Sequence, residues 1–304
     1  MKNRTSTVAV AALAAALTAL AAVPAAASTT EQTIVRAESP AARTASPKAL
    51  VTYVYDQLFN QKNTAVIDRY ISPDFIQHNP TVANGSEAVR SLVQSIKAST
   101  PDSHSTIEHV VAQGDLVILQ SHVVPVPGSR GLDIVDMFRV EDGKLVEHWD
   151  TIQSVPAQTV SGNDLFSDLT GHGTPAASAA ATRRNTNLVR SYLESLTVDR
   201  NVTAVDRYVS PTLRQHQPDL ADGAEATEEA YTELFSAHPD FRATITQVVA
   251  EGDLVAVHSH YQNSPDDRGQ SVYDIFRVQH GKIVEHWSSA QNVPATSVNG
   301  NSMF

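Results

Sequence analysis

Hydrophobic residues recur at every fourth position in the segment around residue 50, and this spacing predicts a helix. Leu50, Val54 and Leu58 fall on one face of that helix, which can therefore pack against a core. A second stretch of helical character covers residues 87–99. Between the two, Pro73 disfavours a continuing helix, and a short strand is expected at 75–78.

The pattern changes to β-rich segments after residue 105. Turn signals separate four segments that predict consecutive strands, at 106–112, 116–124, 134–140 and 144–153. The turn before the last of them, Glu141-Asp142-Gly143, is typical of a hairpin. Helices followed by an antiparallel meander predict an α+β fold.

This whole pattern occurs twice in the chain. The segment GKLVEHW at 143–149 recurs as GKIVEHW at 281–287, an offset of 138 residues (281 minus 143). The offset holds without a gap over residues 50–166 and 188–304, where roughly 50 of about 117 paired positions are identical, which indicates a duplicated domain. The expected boundaries are domain 1 at 47–166, a linker at 167–183 and domain 2 at 184–304.

The N-terminal segment is predicted to be a secretory signal peptide, residues 1–27. Lys2 and Arg4 precede an apolar run at 8–23, and three alanines at 25–27 offer a small-residue cleavage site. A membrane helix is the alternative, but the run is shorter than the roughly 20 residues that a span needs. Residues 28–46 are expected to be a flexible lead-in. The protein is therefore expected to be exported from a bacterial cell and to have no membrane contact after cleavage.

Composition narrows the classes of site that the chain can carry. It contains no cysteine, which excludes disulfides and thiolate metal sites. The formal net charge is −11 and no basic run occurs, so nucleic acid is a disfavoured partner, since phosphate binding needs clustered Lys and Arg. The sequence has no nucleotide-binding fingerprint, and no cofactor is predicted.

Several motifs together resemble the SnoaL-like (polyketide cyclase-like) family of the nuclear transport factor 2-like superfamily. They are Asp136-x-Phe138-Arg139-Val140 with the following hairpin to Asp150, Gln77-His78-Asn79-Pro80, and the tail Gly162-Asn163-x-x-Phe166. The resemblance covers each repeat nearly end to end. It implies two tandem cone-shaped α+β barrels, each a curved antiparallel sheet wrapped on N-terminal helices, with a pocket at the wide end for a small apolar or carbonyl-containing molecule.

Asp136 and its counterpart Asp274 are the first candidate catalytic residues. The resemblance implies that an acidic residue at this place points into the pocket. Alternation along a strand puts Asp136 and Phe138 on one face, and an apolar pocket would raise the pKa of the carboxyl group toward working pH, which suits a general acid or base. A structural role, in which Asp136 caps a loop or pairs with Arg139 or Arg130, is the alternative.

His78 and His216 are the second candidates. A histidine closely followed by proline at the end of a short strand can point into the cone and bond a substrate oxygen or share a proton with the aspartate. The alternative is a histidine that is held by a backbone carbonyl and orders the turn.

The remaining candidates would line the pocket. His258 and His260 could form half of a metal site, but no third ligand has a clear spacing, so no metal is predicted. Gln153 and Gln291 stand where relatives with two catalytic carboxylates have the second one. The predicted substrate-binding residues are Trp149, Gln153, His122, Phe138, Trp287, Gln291, His260 and Phe276.

Two neighbours in the last strand are left outside the predicted site. Asp150 is replaced by Ser288 in the second copy, and chemistry common to both copies would not depend on it. His148 is expected to pair with Glu147 at the surface or between domains.

Three functions remain open from the sequence. The first is an enzyme for aldol-type cyclisation or isomerisation, with Asp136 or Asp274 as acid or base. The second is a binding module for a small apolar molecule. The third is an interaction module in which the two domains pair within the chain through apolar outer faces, with Val117, Leu119, Val255 and Val257 as candidates.

Overall fold

The structure is a computed structural model that describes residues 46–171 and 178–304. The predicted signal peptide, nearly all of the lead-in and the middle of the predicted linker lie outside these residues. In the described part of the chain, no helix is long and apolar enough to cross a membrane. Both repeats belong to one compact unit.

Each repeat places its helices and one short strand before a four-stranded antiparallel meander, as the sequence predicts. The first repeat contains α1 (Pro47–Phe59), α2 (Ile67–Tyr70), β1 (Ile71–Gln77), α3 (Ser86–Ser99), β2 (His104–Gln113), β3 (Leu116–Val124), β4 (Leu132–Glu141) and β5 (Lys144–Ser154). The second contains α4 (Ala179–Leu193), α5 (Ala204–Tyr208), β6 (Val209–Gln215), α6 (Ala224–Ala237), β7 (Arg242–Glu251), β8 (Leu254–Gln262), β9 (Gln270–Gln279) and β10 (Lys282–Asn292). The strand orders are β1-β5-β4-β3-β2 and β6-β10-β9-β8-β7, so the α+β class is confirmed.

The first strand of each repeat departs from a purely antiparallel sheet. β1 pairs with β5 in parallel, and β6 pairs with β10 in the same way. Both are edge strands, so one row of their backbone groups has no neighbouring strand within its own sheet.

The second domain begins earlier than the sequence suggests. Helix α4 starts at Ala179, within the range 167–183 that was expected to be linker. Ser178 caps the N-terminus of this helix, because its side chain accepts a hydrogen bond from the Ala181 backbone N–H. Residues at the start of the same range pack on domain 2, where the Ser167 carbonyl accepts from Trp287 Nε1 at 3.1 Å. The parts of the predicted linker that the structure describes are therefore part of the second domain's packing.

A β-bulge near the closing hairpin decides which face each residue of β5 occupies. Val140 pairs with Leu145, but Arg139 pairs with Glu147, so β5 carries one extra residue at Val146. β10 repeats the bulge between its pairings at 283 and 285. Because successive side chains alternate, a shift of one residue moves every later side chain of the strand to the opposite face.

The inner face of each sheet packs on the helices of its own domain. Val117 and Leu119 lie in the first inner core, together with Phe138. Val255 and Val257 lie in the second. The prediction that these four valine and leucine residues form outer faces is wrong, because they stand on the face of β3 and β8 that the helices cover.

The outer faces of the two sheets pack against one another. Their shared core contains Val111, Ile118, Val135, Met137 and Trp149 from domain 1 and Val249, Ala256, Tyr273, Ile275 and Trp287 from domain 2. Polar contacts surround this core. Lys48 Nζ lies 2.8 Å from Glu251 Oε2, and the Ala112 backbone N–H donates to the same carboxylate oxygen at 3.0 Å.

Candidate functional site

Three buried polar side chains lie together inside the first domain. Asp136 is on β4, and His148 and Asp150 are on β5. The bulge brings Asp136 opposite Asp150 and Phe138 opposite His148. Asp136 Oδ1 lies 2.9 Å from His148 Nε2, and Asp136 is only 5% exposed. Asp136 therefore points inward as predicted, but its histidine partner comes from the neighbouring strand.

The imidazole of His148 is held at both ring nitrogens. Nδ1 lies 2.8 Å from Gln77 Oε1, and the same amide oxygen accepts from the Asn79 backbone N–H at 2.8 Å. His148 Nδ1 therefore donates, while Nε2 faces the Asp136 carboxylate. Burial acts to lower the pKa of His148, but the hydrogen bond to Asp136 and the charges of Asp150 and Asp136 outweigh it and raise the pKa. The arrangement favours an imidazolium.

Asp150 adds a second acid to this pair. Burial raises the pKa of Asp150 to about 6; the charge on His148 and a hydrogen bond from Asn79 oppose the rise, and the Asp136 carboxylate adds to it. Asn79 Nδ2 donates to Asp150 Oδ2 at 2.7 Å. Asp136 Oδ2 and Asp150 Oδ1 are buried, and neither has a hydrogen-bond partner among the described residues. Neighbouring buried carboxyl groups resist double ionisation, so this cluster can hold and release a proton.

A cavity lies beside the imidazole; it encloses about 40 Å³, or about 430 Å³ of space between atoms when its open mouth is included. Its wall is mainly apolar and is formed by Val54, Tyr55, Leu58, Phe59, Ile71, Phe75, Gln77, Val89, Leu92, Phe138, Leu145 and His148. Phe138 stacks on His148 with ring centroids 4.6 Å apart. A molecule in the cavity would therefore meet the imidazole and the Gln77 amide, with Asp136 and Asp150 beyond them.

Tyr55 supplies a further hydroxyl to the wall. Its oxygen lies 2.6 Å from Ser121 Oγ, and Ser105 Oγ donates to it at 3.1 Å. Burial, supported by the charge of Asp136, raises the pKa of Tyr55, so the phenol stays neutral. The wall thus combines apolar rings with one neutral phenol, one amide and one imidazole.

The second domain keeps the Asp–His pair and changes its surroundings. Asp274 Oδ1 lies 2.9 Å from His286 Nε2, but Ser288 stands opposite Asp274 where domain 1 has Asp150. Tyr261 OH lies 3.4 Å from Asp274 Oδ2. Phe276 stacks on His286 with centroids 4.6 Å apart, as its counterpart does in domain 1.

The second cavity is smaller and carries more phenols. It encloses about 10 Å³, or about 290 Å³ of space between atoms when its open mouth is included. Its wall is formed by Tyr192, Val209, Leu213, Gln215, Leu220, Thr227, Tyr231, Phe276, Ile283 and His286. Tyr192 and Tyr231 replace Val54 and Val93 of the first copy. The added rings fill space that is open in domain 1.

His78 and His216 do not join the aspartates, contrary to the first interpretation of them. His78 Nδ1 bonds the Ser302 carbonyl at 2.7 Å, and Nε2 lies 3.0 Å from Glu147 Oε1. His216 bonds the Asp164 carbonyl and lies 2.9 Å from Glu285 Oε1. Each ring is thus held by a backbone carbonyl, which is the structural alternative, but that carbonyl belongs to the tail of the other domain.

Trp149, Trp287, Gln153 and Gln291 lie on the outer faces, away from both cavities. The two tryptophans are in the core between the sheets. Gln153 Nε2 donates to the Ser288 carbonyl at 2.9 Å, and Gln291 Oε1 accepts from the Ile152 backbone N–H at 2.9 Å. Their assignment as pocket residues is wrong because the bulge turns this side of β5 and β10 outward.

His122 and His260 are also on outer faces. His122 Nε2 lies 2.8 Å from the Arg130 carbonyl, and the ring stacks on Phe166 at 4.5 Å. His260 repeats both contacts, with the Arg268 carbonyl at 2.7 Å and Phe304 at 4.2 Å. Of the eight residues predicted to bind substrate, Phe138 and Phe276 are the ones that line a cavity.

Among the described residues, those that could hold a metal ion are the members of the first domain's acid cluster. Ligand atoms of Asp136, His148 and Asp150 lie within 4.8 Å of one another. Both His148 nitrogens face oxygen acceptors, however, so the imidazole directs no lone pair toward the two carboxylates. This geometry fits proton exchange better than coordination.

Sequence reasoning missed His148, His286 and Asp150. The signal for the two histidines was present, because both copies contain Glu-His-Trp in the last strand, but the unrecognised bulge assigned them to the wrong face. The signal for Asp150 was its difference from Ser288, which was taken as evidence against a role.

Comparison with known proteins places the chain in a family. A profile of the SnoaL-like domain matches residues 51–148 and again residues 189–286. The chain belongs to the SnoaL-like family. Both matches end at the histidine of the buried Asp–His pair.

Solved structures resemble one repeat at a time. IdmH of Streptomyces antibioticus, a proposed polyketide cyclase, is 23% identical and covers 35% of this chain and 91% of its own, with a TM-score of 0.31. A proposed ketosteroid isomerase from Kribbella flavida is 16% identical and covers 37% and 82%, with a TM-score of 0.33. TsrD from Streptomyces laurentii is 22% identical and covers 35% and 90%, with a TM-score of 0.30. No curated protein sequence matches the chain.

Proposed function

We propose that the first SnoaL-like domain catalyses proton transfer on a small carbonyl compound, in an aldol-type cyclisation or an isomerisation. The observation that carries this proposal is the buried cluster of Asp136, His148 and Asp150 beside an apolar cavity. Acid–base sites usually contain a titratable group that lies in a cleft, has a shifted pKa and is oriented by a carboxylate.

His148 is the group that meets the substrate in this proposal. In its neutral form, Nδ1 takes a proton from the carbon next to the carbonyl. The C–H electron pair forms the enolate, and His148 becomes an imidazolium stabilised by Asp136. The enolate carbon then attacks a second carbonyl, and the imidazolium protonates the new alkoxide. In an isomerisation, the same proton returns to a different carbon of the enolate. Asp136, predicted as the acid or base, acts here through His148.

The polar wall positions the substrate. The carbonyl oxygen of the substrate would accept a hydrogen bond from the neutral Tyr55 hydroxyl, and Gln77 would release Nδ1 when the substrate enters. The rings of Phe75 and Phe138 favour an apolar, planar body.

Hydrogen–deuterium exchange next to a ketone tests the proposal without knowledge of the natural substrate. The full chain is incubated in D₂O with 2-tetralone, and loss of the α-proton signal is followed by NMR. We expect exchange above the buffer rate that increases as pH rises through the pKa of His148, because the neutral imidazole is the base. His148→Gln should remove it. Exchange that is equal in wild type, variant and buffer would contradict the proposal.

For the second domain we propose that it binds a small molecule or supports the first domain, and that it catalyses no reaction. Ser288 removes the second acid, and tyrosines narrow the cavity. The packed outer faces support a further proposal, that the two domains form a permanent pair within the chain. A single cooperative unfolding transition for the full chain is the expected result.

Export remains a proposal that rests on the sequence of the first 27 residues. Basic residues before an apolar run and a three-alanine site support it. Mass spectrometry of the mature protein from the culture medium should give an N-terminus near residue 28.

A further inference from the structure

We propose that the C-terminal tail of the second domain positions the His148 site of the first domain, with Asn301 as the principal positioning residue. This inference rests on the proposed function of that site. It assigns a role to residues that lie outside the first domain; Asn301 is 151 positions away in the sequence from Asp150, the nearest member of the site (301 minus 150).

Two short chains of hydrogen bonds connect the tail to the site. Asn301 Nδ2 donates to the Gln77 carbonyl at 2.9 Å, and Gln77 Oε1 accepts from His148 Nδ1 at 2.8 Å. Asn299 Nδ2 donates to the Asn79 carbonyl at 2.7 Å, and Asn79 Nδ2 donates to Asp150 Oδ2 at 2.7 Å.

The tail is needed because β1 is an edge strand. The strand pairs with β5 on one side, and its other side has no strand of its own domain to satisfy the backbone. Beyond Gln77 the chain leaves the sheet, so the position of Asn79 depends on loop contacts. Asn299 Nδ2 also bonds the Val82 carbonyl at 2.9 Å, and the Val298 backbone N–H donates to the Pro80 carbonyl at 3.0 Å.

Asn301 completes a clamp on the backbone of Gln77. Its Nδ2 donates to Asn84 Oδ1 at 3.0 Å, and that oxygen accepts from the Gln77 backbone N–H at 2.9 Å. Both backbone polar groups of Gln77 are therefore fixed by one pair of asparagines, one from each domain. The clamp sets where the Gln77 side chain meets the imidazole.

The duplication provides a matched control for this clamp. Asn163, the counterpart of Asn301, donates to the Gln215 carbonyl at 3.0 Å and to Asp222 Oδ1 at 2.8 Å, and Asp222 Oδ1 accepts from the Gln215 backbone N–H at 2.8 Å. The backbone contacts are the same. Gln215 Nε2 is buried without a partner in the described part of the chain, and Ser288 replaces the second acid. Loss of Asn163 thus removes an equivalent clamp from a domain without the acid cluster.

The experiment compares Asn301→Ala with Asn163→Ala in the full chain. Two quantities are measured: α-proton exchange of 2-tetralone, and the titration of the His148 ring by NMR with labelled histidine, assigned through His148→Gln. We expect Asn301→Ala to slow exchange by about 10- to 100-fold, as misplaced catalytic groups do, and to change the pH at which His148 titrates. We expect Asn163→Ala to change neither.

Other outcomes separate this inference from the proposed function. If Asn301→Ala matches wild type in both quantities, or if Asn163→Ala has the same effects, the positioning role is wrong. If Asn301→Ala moves the His148 titration but wild type shows no exchange above buffer, the positioning role stands and the proposed chemistry fails. Asn301→Asp, which keeps the shape and loses the donors, should behave like the alanine variant. Thermal unfolding of both alanine variants checks that they lose similar stability.

Discussion

The two domains share a fold and a buried Asp–His pair, yet their interiors differ at the positions that decide proton chemistry. Domain 1 has Asp150 opposite Asp136, whereas domain 2 has Ser288 opposite Asp274. The additional carboxyl group of domain 1 changes the number of protons that its cluster can hold. The distance between the aspartate oxygen and the histidine Nε2 is 2.9 Å in both domains. The comparison shows that a duplicated site can keep the geometry of its Asp–His pair while a serine stands in place of the second acid.

The ion-pair networks within the two domains differ in the opposite sense. Arg277 of domain 2 is 2% exposed and is bound by Asp168, Asp253 and Glu285. Its counterpart Arg139 is 26% exposed and is bound by Asp115 and Glu147. The segment after residue 166 covers the second arginine, so domain 2 has the more buried ion-pair network and domain 1 has the acid cluster.

The largest difference between the domains is expected in α-proton exchange when the aspartate that bonds each histidine is changed to asparagine. Asp136→Asn should reduce α-proton exchange by about 10²- to 10⁴-fold, because the imidazolium loses the charge that stabilises it. Asp274→Asn should leave the rate unchanged. Exchange rates of both variants with 2-tetralone check this, and equal losses would show that the domains contribute alike.

The next effect concerns the two arginines. Arg277→Met should lower the free energy of unfolding by about 3–5 kcal/mol, because it leaves buried carboxylates without their partner. Arg139→Met, at a partly exposed site, should cost about 1 kcal/mol. Urea unfolding of the two variants measures the difference. A larger loss of unfolding free energy for Arg139→Met than for Arg277→Met would contradict this difference between the two arginines.

A smaller effect is expected from Asp150→Ser, which copies the second domain into the first. Removal of a nearby negative charge should lower the pKa of His148, so the pH profile of exchange should move to lower pH. The maximal rate should fall by about tenfold, within the range that single acid–base groups contribute. Ser288→Ala is the matched control and should leave the profile where it is.

The same variant should alter how stability depends on pH. Burial raises the pKa of Asp150 to about 6, above the unfolded value of 3.8, so the folded state holds a proton that the unfolded state releases. The stabilisation is therefore complete below pH 3.8 and is lost as pH rises through about 6. Unfolding midpoints measured from pH 3.5 to 7 should show this decline in wild type. A decline of the same size in Asp150→Ser would contradict it.

Glu285 should produce a pH-dependent change of similar size, and with the opposite sign. Despite burial, bonds from His216, Thr170 and the Leu169 backbone N–H lower the pKa of Glu285 from 4.5 to about 2. Its contribution to stability is present above pH 4.5 and is lost as pH falls toward 2. Glu285→Gln should reduce the loss of stability that wild type shows as pH falls from 4.5 toward 2. Acid unfolding of Glu147→Gln, the counterpart in domain 1, is measured for comparison.

The sequence predicted the fold from features that are local. Helical spacing at Leu50, Val54 and Leu58, turn signals between strands and the exact offset of the repeat all survive in the structure. The site was predicted only in part, because the decisive features are not local. The bulge at Val146 exchanges the two faces of β5. Without knowledge of the bulge, the prediction placed Trp149 in the pocket and His148 outside it. A single extra residue such as Val146, between Leu145 and Glu147, has no distinctive signature in the sequence.

The contacts of His78 show a second limit of sequence reasoning. Its partner is the Ser302 carbonyl, which comes from the other repeat. No pattern within one repeat indicates a tail that crosses to the other. By contrast, the difference between Asp150 and Ser288 was visible in the sequence, and its meaning depended on knowing that Asp136 lies opposite.

The central claim is that His148 is an imidazolium held between Gln77 and Asp136 in the native protein. Nitrogen-15 NMR of the labelled full chain at pH 6.5 tests it directly, since the shifts of Nδ1 and Nε2 report whether each atom carries a proton. The account predicts protons on both nitrogens of His148, and loss of that state in Asp136→Asn. A neutral ring with one unprotonated nitrogen in wild type at that pH would contradict it.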